Sequence, residues 1–257
     1  MNQVLFFCLA VLLEYIFIGF IFYIVDKKKL FRKSKIQKDV CLSDKEYFNT
    51  FKKSITNIIL VIFPIIIISL TVILPWRRKL GPTFTPKNTI QFIILVLLLG
   101  PISEIIYHLT HKTLHSPWLF KNVHGHHHEI ISPVSTATLD AHPFEVFFQD
   151  ILPIIVPIYL FGPSNNFSIF YTCWNLGIAM FSHSGYYIPI INDGHHDLHH
   201  ERMKCNYGTP NSDGWFGTHI KRERGKVYSK FDKNSKTSDN SRNTFCPIED
   251  QAQSPSD

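Results

Sequence analysis

Fourteen histidines occur in the 257 residues of this chain, and most fall into three short groups. The first is His108-Leu-Thr-His111-Lys-Thr-Leu-His115. The second is His124-Gly-His126-His127-His128-Glu129, and the third His195-His196-Asp197-Leu-His199-His200-Glu201. Residues three, four and seven apart share a helix face. His108, His111 and His115 are therefore expected to stack on one side, as are His124, His127 and His128, and His196, His199 and His200. A neutral imidazole offers one nitrogen to a metal, while its other nitrogen needs an acceptor. Eight clustered histidines exceed one tetrahedral site and suit two metals sharing a site, with positions left for oxygen and substrate. Glu104, Glu129, Asp140, Asp197 and Glu201 are candidates to orient the rings. Ligand type alone leaves zinc, iron, copper or nickel open.

Blander readings compete. A lone His219 near a turn reads as a surface residue, and His142 in Ala-His-Pro can simply start a helix. A histidine-rich stretch can also be a zinc-buffering loop, but the repeated HxxHH spacing argues against that. A membrane zinc-binding or transport protein is the alternative from another class. It would place histidines inside spans, whereas these lie just past span ends. A zinc metalloprotease is excluded for want of HExxH. The five cysteines are scattered without CxxC, so neither a disulfide frame nor a thiolate metal site is indicated.

The elements that must carry these groups read as membrane helices. Residues 4–25 form a largely apolar run interrupted only by Glu14, long enough to cross a hydrocarbon core of ~30 Å. A signal peptide is the rival reading, but the block lacks a basic leader and a small-residue cleavage site. Residues 55–74 form a second run, with a kink expected at Pro64. Residues 90–107 form a third, broken near Gly100-Pro101. Residues 151–161 are short and hold Pro153 and Pro157, as half of a re-entrant hairpin that turns at 162–166 and returns over 167–181. The fold class is all-α: an integral membrane helical bundle of about four transmembrane segments, some as hairpins, with a cytosolic histidine-rich region. The chain divides into N-terminal helices with a basic loop (1–90), a catalytic domain (91–220) and a polar, disordered tail (221–257).

Charge supports this layout. The net charge is +6, yet residues 122–201 contain no Lys or Arg, and ten of the 26 lie within residues 26–53. Cations confined to the flanks suit a membrane surface and speak against nucleic-acid binding. By the positive-inside rule the 26–53 loop is cytosolic. Counting crossings then puts the histidine groups and the tail on the same cytosolic face.

The order HxxxH (His111, His115), HxxHH (His124, His127, His128) and HxxHH (His196, His199, His200) resembles the fatty acid hydroxylase/sterol desaturase superfamily. The resemblance covers roughly residues 92–218. Ser116-Pro-Trp-Leu, Ala141-His142-Pro143, His183-Ser-Gly-Tyr186, Asn206-Tyr207-Gly208 and Phe216-Gly217-Thr218 are similar to the branch holding sterol C-4 methyl oxidases and cholesterol 25-hydroxylases. His126 and the run Ser212-Asp213-Gly214-Trp215 depart from the family's pattern. The resemblance implies a multi-pass endoplasmic-reticulum enzyme with two iron ions that uses O2 to hydroxylate or oxidise a sterol, by C-4 methyl oxidation or side-chain hydroxylation. A fatty acid or other lipid is the alternative substrate. It also implies electrons from cytochrome b5 and an NAD(P)H-dependent reductase, since no Gly-rich dinucleotide fingerprint is present. His183 matches a further family histidine, making nine expected ligands. His108, His126 and His195 receive no role from it. A flat lipid is expected to reach the metals from the bilayer, with Gly177 and Ala179 leaving room for it.

Overall fold

The computed structural model describes residues 2–38, 40–221 and 244–245; the expected disordered tail falls almost wholly outside them. Among the described residues four helices are long and apolar enough to cross a membrane: α1 (Gln3–Lys27), α2 (Asp44–Leu80), α3 (Thr89–Leu114) and α4 (Pro143–Phe161). Helix α5 (Asn165–Ser182), the short α6 (His195–Arg202) and α7 (Pro210–Phe216) follow, with shorter helical turns between the longer elements. Strand pairing among the described residues is limited to a two-residue antiparallel ladder, Val40–Cys41 with Thr244–Phe245, and two isolated bridges. The protein is an all-α membrane-type bundle. Leu13, Phe17 and Phe20 of α1 are 60%, 66% and 59% exposed, an apolar surface that suits lipid and not water.

Four of the helices start where the sequence supplies a side-chain cap. The Asn2 side chain accepts from Val4 N–H, Ser43 and Glu46 form a capping box, and the Asn88 and Ser164 side chains accept from Gln91 and Phe167 N–H. The prolines are absorbed in a consistent way. Pro64 and Pro75 each follow a π-helical turn, Ile58–Ile62 and Ser69–Ile73, and Pro153 follows another over Val146–Ile151. A proline ring collides with the carbonyl four residues back, and a widened turn moves that carbonyl aside. Helix α2 thus runs on through Pro64. Helix α3 also continues past Gly100 and Pro101, where a break was expected, and delivers His111 on its last turn. The fourth apolar segment is a 19-residue helix starting at Pro143, longer than the half-hairpin expected from residue 151. Gly162, at φ 57°, ends it and α5 returns.

The first two helices do more than anchor the chain. Tyr15 O–H and Ser54 O–H both donate to the Thr136 carbonyl, at 2.8 and 2.9 Å, and Thr50 and Thr136 hydroxyls pair at 2.8 Å. The Asn57 amide donates to the Leu139 and Ala141 carbonyls, both at 2.9 Å. A loop buried between membrane helices needs such partners for its backbone. Farther along, the buried pair Lys35–Asp26 (2.6 Å) is completed by Tyr47 and Tyr186 hydroxyls donating to the same carboxylate.

Helix α5 packs along α1, and Gly177 lies in that contact. A Cβ added there would sit 3.0 Å from Glu14 Oε1 and 3.9 Å from Ile18. The expectation that Gly177 makes room for a lipid is therefore corrected: its missing side chain lets two helices approach. Ala179, by contrast, does line the large cavity described below. Gly177→Ala, which displaces only the flexible end of Glu14, is expected to fold normally. Gly177→Leu is expected to cost about 1–3 kcal/mol through overpacking, read as a lower unfolding temperature in detergent.

Candidate metal centre

The structure brings the nine expected histidines together as two adjoining clusters. His111, His115, His124, His128 and His199 form one, and His127, His183, His196 and His200 the other; within each, the candidate ligand nitrogens all lie within 4.8 Å of one another. The division cuts across the sequence groups. In the second group the i, i+4 pair His124 and His128 joins the five-histidine cluster, while His127 crosses to the other. In the third group the i, i+4 pair His196 and His200 joins the four-histidine cluster, while His199 crosses back. Each HxxHH group thus feeds both clusters.

Local backbone sets these positions. His111 is on the last turn of α3, and His115 is its C-cap, because Pro117 disfavours helix in the residue before it. The second group was expected on an α-helix. It lies instead on a π turn, Phe120–His124, followed by a 3-10 turn, His127–Glu129. Gly125 allows this, since a Cβ there would stand 2.7 Å from the Phe120 carbonyl. The third group is α6, which begins after Gly194 at φ 83°.

Within each cluster the rings meet through Nε2. His124 stands 3.1 Å from His111, 3.1 Å from His115 and 2.9 Å from His128, and His199 is 3.1 Å from His115 and 3.2 Å from His128. In the other cluster the spacings are His127–His183 3.2 Å, His183–His196 2.9 Å and His196–His200 3.1 Å. Four of the outward nitrogens are tied to backbone carbonyls. Nδ1–H of His111 donates to the Tyr207 carbonyl at 2.5 Å, His199 to Cys205 at 2.6 Å, His183 to Ala179 at 2.8 Å and His200 to Ile130 at 2.9 Å. His124 Nδ1 lies 2.8 Å from Glu145 Oε1.

These contacts fix the chemistry of the donor set. A carbonyl can only accept, so Nδ1 carries the hydrogen and Nε2 presents a lone pair. Lone pairs about 3 Å apart repel unless a cation lies between them. Nitrogens bound ~2.1 Å from one ion at right angles lie ~3.0 Å apart, which is the spacing found. Burial, together with neighbouring imidazoles, pushes His115 down to about 2, and burial pushes His124 to about 3. Burial likewise pushes His183 and His199 to about 3. The rings are thus held neutral, the form a metal requires. The residues fit two transition-metal ions, one per cluster.

The remaining histidines stay outside the clusters. His108, expected to stack with His111, lies 3.3 Å from Asp213 and stacks on Phe216 at 4.3 Å. His195 donates to Asp213 at 2.8 Å. His126 sits 2.6 Å from Lys53 Nζ and 3.1 Å from Asp140. His142 accepts from Phe144 N–H and starts α4, and His219 meets the ring of His195.

Two acids escaped the sequence reading, Glu145 and Asp213. Asp213 is fully buried and accepts from Tyr207 and Gly208 N–H, both at 2.8 Å, from the Thr218 hydroxyl at 2.6 Å and from His195. Burial alone would raise its carboxyl, but the donors from His195, Thr218 and Gly208 outweigh it and hold the group below the usual carboxylate range. Asp213 thereby fixes the strand of backbone whose Tyr207 carbonyl holds His111. Of the acids expected to orient rings, Asp140 supplies its backbone carbonyl toward His127 Nδ1, at 3.4 Å, and Glu104 lines the cavity.

A cavity of about 570 Å³ reaches His196. Its walls come from α1 (Phe7, Val11), α2 (Ile66, Leu70), α3, α4 and α5, and it ends at the loops before α6 and α7.

Comparison with known proteins agrees with this centre. The Fatty acid hydroxylase family matches residues 92–218, so the chain carries that domain and belongs to the superfamily its histidine motifs resemble. It is 30% identical over 158 residues to human "Fatty acid hydroxylase domain-containing protein 2", covering 61% of this chain and 46% of that protein. It is 32% identical over 124 residues to "Fatty acid hydroxylase ahd1" of Mycosarcoma maydis, covering 48% of this chain and 31% of that one. Human "Cholesterol 25-hydroxylase" is 25% identical over 196 residues, 68% of this chain and 67% of that protein. The chain thus spans about half the length of the first of these relatives. No solved structure matches.

If Asp213 holds the carbonyls that aim the rings, Asp213→Ala should lower metal affinity about 10–100-fold although no ligand is altered. Chelator competition on the metal-loaded protein measures this, and His142→Ala should leave the affinity unchanged.

Proposed function

We propose that this chain is an O2-dependent lipid oxygenase that binds two iron ions, one in each histidine cluster, and hydroxylates or oxidises a sterol. The observation that carries the reading is the pair of all-imidazole clusters standing beside a mostly apolar cavity among membrane-spanning helices. Metals so held would activate O2 with electrons from outside, chemistry that acid–base side chains cannot perform. The chain's own part is to position. Carbonyl-locked rings keep both donor sets aimed inward, His196 brings one cluster to the cavity wall, and aliphatic side chains exclude water around the lipid.

Cytochrome b5 and its NAD(P)H-dependent reductase are the proposed donors. The basic segment 26–53 supports a cytosolic face for the site in the endoplasmic-reticulum membrane, by the positive-inside rule. The names of the relatives include both a fatty acid hydroxylase and a cholesterol hydroxylase. The sterol reading follows the motif resemblance to the sterol-oxidising branch, and the cavity of about 570 Å³ is walled by membrane-type helices, from which a lipid can be drawn laterally.

Expression in cells lacking their own sterol oxidases, under 18O2, tests the reading. One 18O atom should appear in a cellular sterol with wild-type protein and be lost with His200→Ala. Protease added outside intact microsomes should abolish the activity. Absence of any 18O-labelled lipid, or a product that forms without O2, overturns it.

A further inference from the structure

The two histidine clusters are held by different parts of the chain. In the five-histidine cluster, Nδ1–H of His111 and His199 donates to the Tyr207 and Cys205 carbonyls, and Asp213 fixes that stretch at Tyr207 and Gly208. The backbone around the four-histidine cluster is gripped instead by residues 34–37. This segment lies outside residues 92–218, which carry the family domain.

Residues 34–36 pair with the turn that follows His183. Ile36 N–H donates to the Gly185 carbonyl at 2.9 Å, and Tyr187 N–H donates to the Ser34 carbonyl at 2.7 Å. Gly185 is at φ 74°, and a Cβ there would stand 2.9 Å from the Pro133 carbonyl and 3.2 Å from Lys35 Nζ, so this close approach requires glycine. Lys35 is only 7% exposed; its Nζ pairs with Asp26 at 2.6 Å and lies 4.6 Å from the centroid of the Tyr186 ring. Tyr186 O–H donates to the same carboxylate at 2.9 Å. Any other register would leave Lys35 buried without its counter-ion, at a large cost. The ion pair therefore selects one docking of the segment. Gln37 makes the next contacts: its Nε2 donates to the Ile131 carbonyl at 2.9 Å and to Asp197 Oδ1 at 3.3 Å. Ile130, the neighbour of Ile131, supplies the carbonyl that takes Nδ1–H of His200, and Asp197 follows His196 on α6.

Three of the four ligands in that cluster are thus tied to residues 34–37 at one remove: His183 through Gly185, His196 through Asp197, and His200 through its carbonyl partner beside Ile131. Outer contacts of this kind set the aim of a ligand and so the affinity for its metal. Helix α6 also carries His199, but that ring is held by the Cys205 carbonyl, two residues before Tyr207 in the stretch that Asp213 fixes. Building on the two-ion reading, we propose that residues 34–37, locked by the Asp26–Lys35 pair, are positioning residues for the four-histidine cluster alone. The first loop of the chain then controls one metal site, and Asp213 controls the other.

The test uses the full-length chain in lipid nanodiscs, loaded anaerobically with ferrous iron and challenged with the chelator ferrozine. His111→Ala leaves the four-histidine cluster whole, and His200→Ala leaves the five-histidine cluster whole. Gln37→Met keeps the bulk of the side chain and removes its donor. It is expected to lower iron affinity about tenfold or more in the His111→Ala background and less than about twofold in the His200→Ala background. Tyr186→Phe, which removes one donor to Asp26, should act in the same direction. Equal losses in both backgrounds, or none in either, overturn the proposal. Hydrogen exchange on the metal-free chain decides it if a background fails to load. Gln37→Met should speed exchange over residues 130–133 and 183–187 and leave residues 205–209 at the wild-type rate, whereas a uniform change, or none, overturns it. Wild-type protein that never holds a second iron defeats the two-ion reading instead, and the exchange measurement still decides the positioning.

Discussion

Imidazole lone pairs forced to face one another are the constraint on which this structure turns. The Tyr207, Cys205, Ala179 and Ile130 carbonyls each take an Nδ1–H, which leaves Nε2 of His111, His199, His183 and His200 bare and aimed inward. Where two such lone pairs face one another, as across the 3.2 Å between His127 and His183, they repel unless a cation lies between them. Bound cations convert this repulsion into coordination, so on the proposed reading metal binding and folding of the region are linked.

Much of the remaining architecture keeps those carbonyls in place. Asp213 gathers Tyr207 and Gly208 N–H, the Thr218 hydroxyl and His195, and so fixes the turn that faces His111. Gln37 donates to the Ile131 carbonyl and to Asp197, which sits between two clusters' worth of histidines on α6. Tyr15, Thr50, Ser54 and Asn57 fasten the buried loop at 136–141, which also supplies the Asp140 carbonyl to His127. The membrane helices are therefore both the walls of the cavity and the frame of the histidine site.

What was legible in the sequence was short-range. The HxxxH and HxxHH spacings marked eight of the nine clustered histidines, His183 coming from the family resemblance, and the apolar runs marked the spans, because helical periodicity and hydropathy act over a few turns. The sorting of each HxxHH group between two clusters was not legible. It depends on where His115, His183 and α6 meet in three dimensions. Asp213 and Glu145 were missed for the same reason, since they lie 18 residues from His195 and 21 from His124 and share no periodic pattern with them. The first 90 residues carry no motif, yet they hold the loop under the site through side chains that look unremarkable in sequence. The break expected at Gly100-Pro101 does not occur, because membrane packing can absorb a residue that ends helices in water.

The cavity that reaches His196 is walled largely by side chains of the membrane-type helices. Mössbauer spectroscopy on protein loaded with 57Fe, with iron quantified per chain, tests the central claim most directly. The account predicts about two irons per chain in two nitrogen-rich environments, with His200→Ala removing one environment while the signal of the five-histidine cluster persists. A single iron environment, or protein that retains only zinc and shows no oxidation of lipid, would contradict it.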